Sequence, residues 1–391
     1  MKVLVALTYY RPHVSGLTIY VERLARALVE RGHHVTVLTS RFDPNLPSSE
    51  VLDGVSVVRV PVVMRVSKGV IMPTIGFVAS KLVYSHDVLS IHLPQLDASG
   101  IALRARILGK PSILTYHSDL LLPRTIFNRL VNLLVDGSNH VAARLSDAIC
   151  AYTSDFAISS PLLSRYLSKV HYILPPVTVP DVDSESVKEW AKLHGVMGDY
   201  PIIGVASRLA ADKGIEFLLN ALPKLLEVFP NLKILHAGPI DQVIGESAYY
   251  ERLKPIFEQY SQCYKFVGTL DGDDMARFYR SCDLLVLPSI NSTETFGLVQ
   301  IEAALCGVST IASDLPGVRV PTQMTGMGFT VEPGDSDKLG EGILRLLDEN
   351  DRYHMRKDEI YAQFAPSLVA EQYESLFRKL LISKQKQIKN I

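Results

Sequence analysis

Short apolar runs alternate with longer amphipathic stretches along most of this chain, in two separate series. A strand that leads through a turn into an amphipathic helix and then into another buried strand builds a parallel sheet with helices on its faces. The first series reads as strand Val3–Leu7, helix Leu17–Arg31 and strand Val35–Thr39. It continues with strands at Val55–Val60, Val88–Ile91, Ser112–Tyr116, Ala148–Ala151 and Val170–Ile173. Gly32 stands where a helix stop belongs.

Three prolines, Pro175, Pro176 and Pro180, then fall within six residues, which suits neither a helix nor a central strand. A second series follows: strand Ile202–Ala206, helix from about Gly214 to Val228, strand Lys233–Ala237, helix near Ala248–Tyr260 and strand Lys265–Val267. After these come a helix from Asp273, strand Leu284–Leu287, a helix from Gly297 and strand Ser309–Ala312. The expected organisation is two doubly wound α/β domains, residues 1–174 and 201–366, joined by a linker at 175–200 and separated by a cleft. From Ser367 to 391 the chain is helical and amphipathic before turning basic, and is expected to pack back on the first domain.

At 391 residues and 47% apolar content there is material for two cores, which excludes a disordered or disulfide-stapled protein. A net charge of -1, with no basic stripe, argues against a nucleic-acid partner. Cys150, Cys263, Cys282 and Cys306 form no C-x-x-C pair and read as residues of a reduced compartment. Met1–Leu7 reads as a first strand rather than a signal peptide, giving a cytoplasmic expectation. No run reaches the roughly 20 apolar residues of a membrane span. Thr125–Val135 is strongly apolar and helical, and is read as a core helix in preference to one lying on a bilayer.

The chemistry concentrates at Glu294-Thr295-Phe296-Gly297-Leu298-Val299-Gln300-Ile301-Glu302. Asp283–Ser289 before it reads as a buried parallel strand with turn residues, so the block lies at a strand's carboxyl end, where open α/β sheets bind ligands. A helix starting near Gly297 puts Glu294 on the loop and Glu302 in the second turn. The free amides of Gly297 and Leu298 then face an anion. Such a site holds hydroxyls beside a phosphate, the parts of a nucleotide sugar; two solvated surface glutamates are the plain alternative.

Arg208 and Lys213 follow the strand Ile202–Ala206 and precede a helix. Together they offer a fork and a point charge to a diphosphate. Asp271-Gly272-Asp273 has D-x-D spacing but reads as a loop and helix cap, so no metal site is expected. In the first domain Ser15-Gly16 opens a helix, where a bare backbone can approach a phosphate or sugar, although Ser15 as a helix cap explains it equally. No G-x-G-x-x-G is present, which argues against a dinucleotide cofactor. His117 and Asp119 follow the strand Ser112–Tyr116; the imidazole is expected to point into the cleft, and Asp119 to orient a loop or an acceptor hydroxyl.

These pieces resemble the retaining glycosyltransferases of family 4, which have the GT-B fold. The resemblance spans Pro12–Gly16, Arg31–Val35, Tyr116–Asp119, Ser207–Gly214 and the E-x7-E block. It implies that Glu294 binds the transferred sugar, Glu302 the ribose, and Phe296, Gly297 and Leu298 the sugar and phosphate through their backbone. It also places Arg208 and Lys213 at the diphosphate and His117 at the transferred sugar. Ser15 and Ser207 replace glycines common in the family, and Pro175-Pro176 replaces an Asn-Gly turn.

The implied reaction is metal-independent hexosyl transfer, with retention, from a UDP- or GDP-sugar to a glycan, lipid-linked or glycolipid acceptor. The nucleotide sugar is a co-substrate, so no cofactor is expected. Contact with the inner face of the membrane would come through the first domain. A nucleotide-sugar epimerase and a non-catalytic binder are the alternatives.

Overall fold

The computed structural model describes residues 1–66, 69–119, 126–240, 246–349, 353 and 356–389. It divides into two compact units, Met1–Pro176 with Phe364–Ile391, and Val177–Gln363.

In the first unit, strands β1 (Lys2–Ala6), β2 (His34–Arg41), β3 (Ser49–Leu52), β4 (Val55–Pro61), β7 (Val88–Leu93), β8 (Ser112–Tyr116), β9 (Ala148–Ala151) and β10 (Val170–Tyr172) form one sheet. Its order is β10-β9-β8-β7-β1-β2-β4-β3, parallel except for the β3 edge; β5 (Met64–Val66) and β6 (Gly69–Ile71) make a separate hairpin. Every residue of β7, β8 and β9 is buried, as befits strands covered on both faces.

Helix α1 (Gly16–Glu30) buries Tyr20, Val21, Leu24, Ala25 and Leu28, a stripe at helical spacing. Ser15 caps its start by accepting from the Thr18 amide, and Gly32 at φ 82° ends it. Helices α2 (Ile75–Ser85), α3 (Ala98–Ile107) and α4 (Ile126–Leu145) pack as neighbours in one layer, and α5 (Ser154–Ser159) follows β9. The chain leaves β1 toward β2 but later leaves β7 toward β8, so the strand order reverses between β1 and β7.

The second unit opens with α6 (Ser184–Leu193). This corrects the expected linker at 175–200. Past the prolines Asp183 caps a helix through the Ser186 amide, and Trp190 is buried against Phe278. Its sheet has the order β13-β12-β11-β14-β15-β16, all parallel: β11 (Ile202–Ala206), β12 (Lys233–Ala237), β13 (Tyr264–Gly268), β14 (Leu284–Leu287), β15 (Ser309–Ser313) and β16 (Gly328–Val331). The crossovers carry α7 (Ile215–Val228), α8 (Ser247–Gln259), α9 (Gly272–Arg280), α10 (Leu298–Leu305) and α11 (Arg319–Thr325), and α12 (Ser336–Asp348) and α13 (Lys357–Phe364) follow. Here the order reverses between β11 and β14.

Helix α14 (Pro366–Lys389) belongs to the first unit, where it packs on α1. Tyr373 and Phe377 are fully buried, worth about 1.5–3 kcal/mol for each aromatic side chain. Tyr373 shares a hydroxyl hydrogen bond of 2.9 Å with Tyr20, and Glu374 receives Arg31 at 2.8 Å and Arg378 at 2.6 Å. Those guanidinium bonds, Arg378 first, hold the Glu374 carboxyl down at about 2.

Among the described residues no helix is long and apolar enough to cross a membrane. Thr125 and the residues just before it lie outside the described residues, and on α4 Leu133 and Leu134 are 70% and 59% exposed while Val135 is buried. That corrects the reading of the stretch as a core helix: its C-terminal part turns two leucines to solvent.

Candidate active site

The loops after β11 and β14 flank the reversal point of the second sheet, and the charged groups meet there. Gly214, in the left-handed region at φ 61°, lets the first loop pass so close to the second that an added Cβ would lie 2.3 Å from the Pro288 carbonyl oxygen. The Ile290 amide donates to the Asp212 carbonyl at 3.1 Å, tying the loops together. Lys213 Nζ then donates to Glu294 Oε2 at 2.7 Å and lies 3.6 Å from Asp212 Oδ2. Arg208 Nη2 donates to both oxygens of Asp212, at 2.9 and 3.0 Å, with Nη1 3.9 Å from Glu246. Thr293 adds a hydroxyl bond to Asp212 at 3.2 Å. Sequence reasoning named Arg208, Lys213 and Glu294 but missed Asp212 and Glu246, the carboxylates that position the cations. Asp212 was readable as the residue beside Lys213; Glu246 comes from before α8 and had no local signal.

Gly297 is the residue before α10 rather than its first, at φ 77° and ψ 71°. A Cβ there would sit 2.5 Å from Leu287 Cδ2 and 2.6 Å from Gln300 Nε2, so the turn needs glycine twice over. Gln300 locks the turn from beneath by donating to the carbonyls of Phe296 and Val318, both at 2.9 Å. The Phe296 side chain is buried in the core, which leaves its backbone as the part at the site. Glu302 is buried on α10 and accepts from Tyr279 Oη at 2.8 Å, a partner that sequence reasoning did not find. Glu294 and Glu302 thus flank the helix start with different settings: one ion-paired on the loop, the other held by a phenol.

Beside this cluster Gly238 (φ 139°) follows β12 and lies so close to Ser207, the residue after β11, that a Cβ would collide with the Ser207 carbonyl oxygen. The Gly238 amide donates to the Gly268 carbonyl at 2.8 Å, which joins the ends of β12 and β13. His236 beneath is spent on the Ser207 carbonyl and the Tyr264 hydroxyl, each at 2.8 Å, and burial pushes it down to about 4. Asp271 stands before α9 without a side-chain cap bond, and Asp273 lies 3.8 Å from Arg277.

In the first unit Ser15 and Gly16 form the capped start of α1 after β1. Asp119 accepts from Tyr116 Oη at 2.8 Å and Ser160 Oγ at 2.9 Å, joining the loop after β8 to the end of α5. His117 does not offer its ring nitrogens outward, which corrects the expectation of an imidazole pointing into a cleft. Nε2 meets His92 Nδ1 at 2.8 Å, Nδ1 meets the Tyr152 hydroxyl, and the residue is 7% exposed. Burial, then the neighbouring His92, lowers its pKa well below the usual histidine value.

Two α/β units whose polar loops gather at sheet reversal points define a class, and sequence comparison agrees with it. The family described as "Glycosyl transferase 4-like domain" matches residues 15–158, and "Glycosyl transferases group 1" matches residues 186–363. The chain is a glycosyltransferase with the two-domain GT-B fold, and belongs to the group whose first half is 4-like and whose second half is group 1.

It is similar to the uncharacterized glycosyltransferase MJ1607 of Methanocaldococcus jannaschii, 27% identical over 97% of this chain and 98% of that one. It is also similar to the phosphatidyl-myo-inositol mannosyltransferase of Mycobacterium leprae, 25% identical over 95% of each. Anabaena HepE, solved with UDP-glucose, shares the fold at a TM-score of 0.75 and 17% identity, over 97% of this chain and all of that one.

Proposed function

We propose that this chain transfers a hexosyl group from a UDP- or GDP-sugar to a hydroxyl of a glycan, lipid-linked or glycolipid acceptor, with retention and without a metal ion. The observation that carries this reading is the pairing of Arg208 and Lys213 with Asp212 and Glu294 beside the glycine-led start of α10. When the bond from the anomeric carbon to the diphosphate breaks, negative charge grows on the leaving group. Two fixed cations and the amides of Gly297 and Leu298 stabilise that charge, a task a divalent ion performs in other sites. The acceptor oxygen forms its bond to the anomeric carbon on the face the diphosphate leaves, and its proton passes to a leaving phosphate oxygen. Glu294 takes hydroxyls of the transferred sugar and Glu302 takes the ribose, while Ser15, Gly16 and Asp119 of the first unit serve the acceptor.

The mycobacterial relative is named for phosphatidyl-myo-inositol, which favours an inositol-type lipid headgroup as acceptor. The exposed side chains of Phe77 and Tyr84 on α2, Ile107 on α3 and Leu133 and Leu134 on α4 support contact of the first unit with a lipid surface.

The test is incubation with a panel of nucleotide sugars, with and without phosphatidylinositol vesicles, following nucleoside diphosphate release and the anomeric configuration of the product by NMR. Acceptor-dependent release that persists in EDTA and gives a retained product supports the reading. An isomerised sugar from donor alone, an inverted product, or loss of activity in EDTA that added metal restores contradicts it. Failure to co-sediment with anionic vesicles removes the membrane contact.

A further inference from the structure

Three carboxylates surround two cations at the loop after β11. Arg208 and Lys213 face Asp212, Glu294 and Glu246, which leaves one formal negative charge in excess among these described residues. A cluster that had only to grip a diphosphate would gain from keeping its cations unopposed. Two of the carboxylates have a task in the reaction proposed above. Asp212 aims Arg208 through two hydrogen bonds, and Glu294 pairs with Lys213 on the loop before α10. Glu246 meets Arg208 differently: its Oε1 stands 3.9 Å from Nη1, beyond hydrogen-bond reach, so charge rather than a directed bond links them.

The backbone and two further side chains hold Glu246 in place. It precedes α8, and its Oε2 accepts from the Ala211 amide at 3.1 Å, on the turn that presents Lys213. Three residues on, the buried Tyr249 donates its hydroxyl to Glu216 at the start of α7, and Arg252 reaches the same carboxylate at 3.0 Å. These bonds clamp the start of α8 to the start of α7, and the Glu246 side chain is only 12% exposed. A charge in that setting is screened much less than one on the open surface.

The excess matters because the reaction changes the charge of what is bound. A nucleotide sugar carries two negative charges on its diphosphate. When the bond to the anomeric carbon breaks, its electron pair stays on the terminal phosphate oxygen, which takes the acceptor proton. With a second ionisation at about 6, that phosphate then gives the proton to water at neutral pH, and the product carries a third charge.

We propose that Glu246 is a specificity-determining residue of the donor site, a fixed charge that disfavours the nucleoside diphosphate product against the nucleotide sugar and so speeds its departure. This rests on the transfer reaction proposed above. Glu246 thereby acts on the end of the catalytic cycle rather than on bond cleavage.

Calorimetric titration of the full-length protein with UDP, UDP-glucose, GDP and GDP-mannose, in EDTA at neutral pH, tests this. Glu246→Gln removes the charge and keeps an oxygen for the Ala211 amide, whereas Glu246→Asp keeps the charge. In Glu246→Gln the diphosphate is expected to bind about 3–10-fold more tightly, relative to its matching nucleotide sugar, than in wild type, the effect of one charge across a partly hydrated site. Product inhibition strengthens in step, and Glu246→Asp stays close to wild type. An unchanged ratio in Glu246→Gln, or a shift in Glu246→Asp as large as in Glu246→Gln, overturns the inference. If the glutamine variant does not fold, Glu246→Ser, a residue suited to the start of a helix, removes the charge and decides by the same ratio. A wild type that binds none of the four ligands refutes the donor site of the proposed function, and the inference with it.

Discussion

Lys213→Ala removes a cation that lies against both Glu294 and Asp212 in the proposed donor site. Its Nζ lies 2.7 Å from Glu294 and 3.6 Å from Asp212, and the three side chains are only 14%, 17% and 11% exposed. Two unit charges 4 Å apart attract by about 4 kcal/mol in surroundings of intermediate polarity. Most of that is offset by desolvation, so the loss in folding stability is expected to be about 1–3 kcal/mol. The catalytic loss is larger. A fixed charge aimed at the leaving group contributes about 2.7–4 kcal/mol at the transition state, or 100–1000-fold in kcat. The diphosphate is also charged in the ground state, so the donor KM rises too and kcat/KM falls further than kcat.

Steady-state release of nucleoside diphosphate with donor varied gives both constants, and a thermal melt confirms folding. Lys213→Arg keeps the charge but presents a planar fork where a single nitrogen now contacts Glu294, so it should fall between alanine and wild type. A well-folded Lys213→Ala protein with kcat within threefold of wild type would refute the electrostatic argument.

Gly297→Ala forces a side chain into positive φ and against Leu287 and Gln300; a loss of about 2–4 kcal/mol, or roughly 5–15 °C in Tm, is expected by scanning calorimetry, with loss of donor binding. Tyr279→Phe deletes the hydroxyl that holds Glu302. The donor KM should rise about 3–10-fold with kcat little changed, and an unchanged KM would detach Glu302 from the ribose. Glu374 has a carboxyl depressed from 4.5 to about 2, so its contribution to stability is complete above about pH 4.5 and is lost as pH falls toward 2. Urea midpoints should therefore drop on the acid side in wild type and much less in Glu374→Gln.

The sheets were legible because many buried parallel strands are short and apolar throughout, as in Leu284–Leu287 and Ala148–Ala151. Elements with mixed patterns escaped notice: the β3 edge strand, the β5–β6 hairpin, and α6, which begins directly after the prolines. At the site, residues within one loop were visible as R-x4-K and E-x7-E spacing. Partners from distant segments were not. Tyr279 and Glu246 reach the cluster only through folding, and nothing near them in the chain marks them. His92 did leave a trace, since Ser90 and His92 are the polar interruptions in an otherwise apolar strand.

The first unit is assembled from both ends of the chain, with the whole of Val177–Gln363 between its parts. On a ribosome adding about 5–20 residues per second, those 187 residues delay the last part of the first unit by roughly 10–40 seconds after Pro176 has been made. Throughout that interval Tyr20, Arg31 and His33 lack the helix that later supplies Tyr373 and Glu374. The second unit is free to finish folding during this wait, and the first is the last part of the molecule to mature. A nascent chain therefore carries a bare helix face that invites a chaperone, and premature termination anywhere before α14 leaves that face permanently uncovered.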